Sequence, residues 1–169
     1  MPHAEYADDL PLAEIPARLA ALIDGERDFL ANSANATSLL WHAIPGLNWC
    51  GFYFFREGVL LLGPYNGKPA CVRIALNRGV CGAAATQRRT LIIPDVSEFP
   101  GHIACDTLSA SELVIPLIDT EQRLLGVLDL DSPTKNRFTE EEAHILGQAM
   151  KVLIAGSDTP WYADGIVGN

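Results

Sequence analysis

The sequence predicts one α+β domain in which helices at both ends of the chain cover one face of a mostly antiparallel sheet. Apolar residues recur at helical spacing near both ends, and short apolar or alternating segments separated by turn residues fill the middle. Helices that flank a run of strands, rather than alternating with them, favour the α+β class. A chain of 169 residues is long enough to form such a domain without a disulfide or metal to stabilise it.

Helices are predicted before and after the strands. Apolar residues from about 17 to 43 follow helical spacing, and Asp24-Gly25 divides that stretch into two helices. Near the other end, Thr139 and Glu142 have the spacing of a capping box, in which each side chain bonds the backbone of the other residue. The sequence therefore predicts a last helix from this box to about residue 155.

Six strands and one short helix are predicted between these helices. The turn at 56–58 joins the first two strands into a hairpin, and small residues from Gly79 onward form the short helix. The polar segment 97–111 is predicted to be a long loop, and long loops in compact domains are often functional. The predicted strands are 48–55, 59–63, 71–76, the part of 91–96 that precedes Pro94, 111–118 and 123–131.

The chain is predicted to have three parts. Residues 1–16 contain three prolines and form an N-terminal arm or a short helix, 17–156 form the domain, and 157–169 form a Gly/Pro-rich C-terminal tail. The N-terminus lacks the basic and apolar regions of a signal peptide, and no apolar run is long enough to cross a bilayer. We therefore expect a cytoplasmic protein with reduced thiols.

Charge and missing motifs argue against several classes of function. Twelve Lys and Arg against 21 Asp and Glu give a net charge of −9, which disfavours nucleic acid and anionic membranes as partners. The glycine-rich nucleotide motifs, the zinc-protease helix motif and the serine-hydrolase motif are all absent from the sequence.

Four cysteines suggest either inert core thiols or redox chemistry. Cys50, Cys71, Cys81 and Cys105 contain no C-x-x-C pair, so they lack the spacing of a zinc site. In GHIACD, at 101–106, a nearby imidazole from His102 or loop amides would favour the nucleophilic thiolate of Cys105. Alternatively, Cys105 packs the loop onto the sheet and His102 is a surface residue.

Two further groups of residues suggest a binding site. Asp129 and Asp131 point to one face of a strand, and Glu112 joins them if the preceding strand pairs with it. Such carboxyls can bind an amine or donate a proton, although a solvated strand end would explain them equally well. Trp49 and Tyr53 share a face, with Gly51 expected to leave a gap between their rings. They form either an apolar wall for a methyl-bearing amino acid or ordinary core.

Together the motifs resemble those of the free methionine-(R)-sulfoxide reductases, a single-domain family of the GAF superfamily. They occur in consistent order from about residue 20 to 155: NWCGFYFF, GPYNGKPACVRI, RGVCG, GHIACD, SELVIPL, GVLDLDS and RFTEEE. The resemblance implies a GAF fold with the ligand pocket on the sheet face opposite the terminal helices. It also implies reduction of free methionine (R)-sulfoxide, without a metal or organic cofactor.

The resemblance implies roles for the thiols. Cys105 matches the nucleophile, Cys71 the resolving thiol and Cys81 a third family cysteine of secondary role, whereas Cys50 is a bystander. The resulting sulfenic acid condenses to an intramolecular disulfide, which thioredoxin or a similar dithiol reduces. The family also implies a homodimer.

For the remaining residues the resemblance implies substrate contacts. Glu112, Asp129 and Asp131 match the acids that hold the substrate and polarise its sulfoxide, and Trp49 and Tyr53 match the aromatic wall. The alternative is a non-catalytic GAF module that senses a small molecule or oxidant. A sensory module usually accompanies an output domain and would not need three thiols around an acidic pocket.

Overall fold

The computed structural model describes residues 10–100 and 108–159, in which six strands pair antiparallel in one sheet. Across the sheet the order is β3-β2-β1-β6-β5-β4, so β1 and β6 lie at its centre. The predicted α+β class and central antiparallel sheet are confirmed. The strands are β1 (Trp49–Arg56), β2 (Val59–Gly67), β3 (Arg73–Ala75), β4 (Leu91–Ile93), β5 (Ser111–Ile118) and β6 (Leu124–Ser132).

Three helices cover one face of this sheet, as predicted. They are α1 (Ile15–Leu22), α2 (Phe29–Ala43) and α4 (Glu140–Ala155), and their apolar sides share a core with Leu128 and Leu130 of β6. Burial of this core holds the terminal helices against the sheet. At the start of α4, the Thr139 hydroxyl accepts from the backbone N–H of Glu142, whose carboxyl accepts from the N–H of Thr139.

The remaining helix, α3 (Gly79–Gln87), lies on the opposite face of the sheet. It packs there with a second apolar cluster, the pocket-side cluster, which includes Tyr53, Leu60 and Val127. Small residues allow this helix to lie unusually close to the chain that precedes it. A Cβ atom at Gly82 would lie 2.5 Å from the carbonyl oxygen of Ala75, which is closer than real Cβ contacts. Helix α3 therefore holds its first turn, with Cys81, directly over the sheet.

Strand β2 is longer than predicted and continues through Gly67 rather than ending at Gly63. Gly51 pairs with Tyr65 and Tyr53 with Leu62, so β2 has one extra residue at this point. Such a β-bulge is one of the few places where a strand tolerates proline, here Pro64.

Other boundaries shift by a few residues. Strand β3 keeps only three residues of the predicted 71–76, whereas β4 ends at Ile93, directly before Pro94, as predicted. A 3₁₀ turn at Leu12–Glu14 and the start of α1 lie within the segment predicted as the arm, and the three-part division of the chain stays a prediction. None of the helices among residues 10–100 and 108–159 is long and apolar enough to span a membrane.

Candidate active site

A pocket lies over the central strands, on the sheet face away from α1, α2 and α4. Its atom-free space, counted together with the open solvent at its mouth, is about 540 Å³. The structure brings together six of the residues predicted for the site. These lining residues are Trp49, Tyr53, Cys81, Glu112, Asp129 and Asp131.

Strand pairing places the three carboxyl groups beside one another. Glu112 on β5 lies directly opposite Asp131 on β6, and Asp129 lies two residues further along β6 on the same face. Glu112 is 5% exposed and Asp129 is 6% exposed, so a solvated strand end does not describe them. Because Trp49 and Gly51 of β1 pair with Asp131 and Asp129, the acids also adjoin the aromatic residues.

Burial keeps protons on this acidic cluster. It raises the pKa of Asp129 from 3.8 to about 7, although hydrogen bonds from Cys81 and Glu112 oppose the shift. For Glu112 the pKa is raised well above its usual value, first by burial and then by the charges of Asp129 and Asp131. The pocket therefore contains a carboxylic acid that can donate a proton at neutral pH.

Cys81 lies in the first turn of α3 with its sulfur in the acidic cluster. Its Sγ donates to Oε1 of Glu112 across 3.9 Å. Burial, followed by the charges of Asp129 and Glu112, raises the pKa of this thiol well above its usual value. In this pocket Cys81 is therefore a protonated thiol at neutral pH and a poor nucleophile.

The aromatic wall differs from the prediction. No gap separates Trp49 from Tyr53, because the two rings stack with centroids 5.7 Å apart. The indole fills the space over Gly51, where an added Cβ would lie 2.7 Å from Cη2 of Trp49. A third ring, Tyr65, stacks on Trp49 at 5.4 Å, and the indole N–H donates to the carbonyl of Lys68.

Sequence reasoning missed Tyr65, although it lies in the motif GPYNG. Its register depends on the bulge at Pro64, which brings Tyr65 opposite Gly51 and onto the face shared by Trp49 and Tyr53. If the predicted strand β2 had been extended past Pro64, Tyr65 would have been predicted as a third ring on this face.

The remaining cysteines lie in separate surroundings. Cys71 is partly exposed, between β2 and β3, and packs at the edge of the pocket-side cluster. Cys50 is fully buried in the helix-side core, where burial raises the pKa of its thiol. Cys105 and His102 lie outside the described residues, so their predicted roles are not tested. Among the described residues, Cys81, Glu112 and Asp129 could together hold a metal ion.

Comparison with known proteins identifies the fold family first. Residues 28–155 match the GAF domain family. A solved structure of a free methionine-R-sulfoxide reductase from Neisseria meningitidis, in complex with its substrate, superposes with a TM-score of 0.82 and 38% identity, covering 86% of this chain and 87% of that one. This chain is a GAF-domain protein.

The relatives with curated names identify the family more narrowly. A free methionine-R-sulfoxide reductase of Escherichia coli is 45% identical over 141 residues, which is 83% of this chain and 85% of the relative. Another, from Saccharomyces cerevisiae, is 40% identical over 162 residues, 89% of this chain and 90% of the relative. The chain belongs to the free methionine-R-sulfoxide reductase family, and it is an oxidoreductase.

Proposed function

We propose that this protein reduces the R-sulfoxide of free methionine to methionine. The observation that supports this most strongly is the buried acidic cluster of Glu112, Asp129 and Asp131 beside the ring stack. A sulfoxide is a poor electrophile until its oxygen is protonated, and the substrate's ammonium group requires a carboxylate. The pocket offers both an acid that retains its proton and neighbouring carboxyls, next to an apolar surface for the methyl group.

Within this proposal, the acids have different tasks. Glu112 donates the proton to the sulfoxide oxygen, since burial and, after it, two neighbouring carboxyls keep it protonated. Asp129 orients the ammonium group, because a partly ionised carboxyl attracts a cation. Asp131 is less buried and directly opposite Glu112, where its charge holds the proton on the donor.

The thiols carry the redox steps. The Cys105 thiolate attacks the sulfoxide sulfur, the protonated oxygen is transferred, methionine leaves, and Cys105 becomes a sulfenic acid. The Cys71 thiol then attacks that sulfur, which gives a disulfide and releases the oxygen as water. An external dithiol, thioredoxin or similar, reduces the disulfide by exchange and is itself oxidised. The sum converts one sulfoxide and one dithiol to methionine, water and one disulfide.

The test measures methionine release from defined sulfoxides with thioredoxin and its reductase. We expect turnover of the free R epimer and little with the S epimer or with N-acetylated sulfoxide, whose amide cannot act as the ammonium group. Equal rates on the acetylated substrate would contradict the assigned role of the acids. If the protein binds the sulfoxide but releases no methionine, the result would favour the alternative function, a non-catalytic sensor.

Single-turnover experiments separate the thiols. Cys105→Ser should release no methionine, whereas Cys71→Ser should release about one equivalent and then stop, because attack precedes resolution. Cys50→Ala is the matched control, since its thiol lies across the sheet from the pocket, and it should behave like the wild type. Loss of the single turnover in Cys71→Ser would reverse the assignment of the two thiols.

Two further expectations remain proposals. By the family resemblance the protein is a homodimer, which sedimentation equilibrium of the full chain would detect. A cytoplasmic location supplies the reduced dithiol that the cycle needs, and cell fractionation would test it.

A further inference from the structure

The pocket floor brings one thiol and two carboxyl groups to a single point. One donor atom from each of Cys81, Glu112 and Asp129 lies within 4.8 Å of the others, and Cys81 Sγ is 3.9 Å from Glu112 Oε1. A tetrahedral zinc ion holds a sulfur at about 2.3 Å and an oxygen at about 2.0 Å, which sets the two ligand atoms about 3.5 Å apart. The Cys81–Glu112 pair therefore needs to contract by only a few tenths of an ångström to coordinate such an ion, and the other two pairs by at most about 1.5 Å.

An independent observation points to a missing ligand at the same place. Asp129 is 6% exposed, and its Oδ1 is buried without a hydrogen-bond partner among the described residues. Both oxygens of a carboxyl group sit on one carbon, so Oδ1 borders the cluster of donor atoms that includes this side chain. A buried carboxyl oxygen without a donor is costly, and a cation would satisfy it.

We propose that Cys81, Glu112 and Asp129 form a binding site for a thiophilic divalent cation of the Zn²⁺ class. A sulfur ligand selects such ions over Mg²⁺ and Ca²⁺, which prefer oxygen donors alone. On binding, the Cys81 S–H bond and the Glu112 carboxyl O–H bond break, both protons pass to solvent, and bonds form from the sulfur and the carboxylate oxygens to the metal, with no change of oxidation state. Because Glu112 and Asp129 then coordinate the ion, they can no longer bind or protonate a sulfoxide.

The bound ion is therefore an inhibitor that competes with the sulfoxide, and not a cofactor. Three protein ligands leave one coordination position, which water can fill. Only the competition with sulfoxide rests on the proposed function, since metal binding itself depends on the three side chains alone.

Cadmium titration of a chain without the two proposed redox thiols tests the site. In the full-length Cys71→Ser/Cys105→Ser protein, one equivalent of Cd²⁺ should produce the ultraviolet charge-transfer absorption of a cadmium–thiolate bond, and an excess of Zn²⁺ should displace it. Addition of Cys81→Ser should abolish the band, whereas addition of Cys50→Ala should leave it unchanged. In the same background, Asp129→Asn should weaken Cd²⁺ binding by at least about 10-fold.

Each outcome bears on the proposal. A band that is absent at one equivalent, or that persists after Cys81→Ser, would overturn it, as would unchanged affinity in Asp129→Asn. If circular dichroism shows that Cys81→Ser does not fold, Glu112→Gln is tested in its place. We expect Glu112→Gln to weaken Cd²⁺ binding by at least about 10-fold, as for Asp129→Asn, and unchanged affinity would overturn the proposal.

The competition is tested in the same background. Free methionine sulfoxide should raise the apparent Kd for Cd²⁺ in proportion to its concentration. An unchanged Kd while calorimetry shows the sulfoxide bound would refute a shared site. If calorimetry instead shows no sulfoxide binding, the proposed function fails, whereas the charge-transfer titration still decides the metal site.

Discussion

Asp129→Asn should make the protein more stable at alkaline pH while removing a carboxyl from the pocket. In the folded chain, burial raises the pKa of Asp129 from 3.8 to about 7. The stability this group contributes is fully present below pH 3.8 and is lost as the pH rises toward 7, because ionisation must then occur in a buried place. The pKa values of 3.8 in the unfolded chain and about 7 in the folded chain correspond to a difference of about 1000-fold in proton affinity. At pH 8 this difference lowers the free energy of unfolding by about 4 kcal/mol relative to acidic pH.

An asparagine cannot ionise, so it avoids this loss, although its own N–H groups need acceptors in the pocket. We expect a net gain of about 2–3 kcal/mol in the free energy of unfolding at pH 8 and a net loss of about 1–2 kcal/mol at pH 4, where Asp129 is protonated and only the cost of the asparagine remains. Urea unfolding of both proteins at the two pH values, followed by tryptophan fluorescence, measures the difference.

Asp119→Asn provides a control of opposite sign. Asp119 accepts from the Arg123 side chain at 2.6 Å and from two backbone N–H groups, and these interactions lower its pKa despite partial burial. The stability it contributes is present at pH 8 and lost as the pH falls, so this variant should be destabilised at pH 8. If Asp129→Asn gained nothing at pH 8, or gained equally at both pH values, burial would not be holding the Asp129 proton.

Three other substitutions test separate features. Glu112→Gln keeps the shape of the side chain but removes the acidic proton, and should lower the single-turnover rate by about 10²-fold with little change in sulfoxide binding; a near wild-type rate would contradict its role as donor. Gly51→Ala places a Cβ 2.3 Å from Cβ of Tyr65, so we expect about 1–3 kcal/mol of destabilisation by urea and a raised KM; an unchanged KM would mean that the ring stack does not shape the pocket. Thr139→Ala removes one half of the capping box and should cost about 1 kcal/mol without changing KM, as thermal unfolding and kinetics would show.

The sequence was informative where a local pattern determines the structure. Alternation along β6 put Asp129 and Asp131 on one face and Leu128 and Leu130 on the other, and the hairpin with β5 then brought Glu112 beside them. The capping box was equally readable because all its bonds lie within four residues. In both cases the prediction needed only neighbouring residues or one strand pairing.

The features that were missed depend on packing between distant segments. A proline normally ends a strand, and only pairing with β1 shows that Pro64 is accommodated in a bulge and that Tyr65 joins the ring stack. Likewise, Gly51 suggested a gap, but whether a gap stays open depends on neighbouring rotamers, and the Trp49 indole fills it. The degree of burial of the acids was also unreadable, because it depends on α3 packing over the sheet.

The acids and Cys71, one of the two proposed redox thiols, occupy different kinds of backbone. Glu112, Asp129 and Asp131 stand on strands that are paired on both sides, whereas Cys71 lies in the connection between β2 and β3, and Cys105 lies between β4 and β5 in the sequence. In the proposed cycle, one sulfur must meet a sulfoxide, a second thiol and a reductant in turn, and a connection between strands can change its path without breaking strand pairing. In that proposed cycle the acids therefore need no reorganisation between turnovers, and the disulfide form should present the same acids to the next sulfoxide as the reduced form.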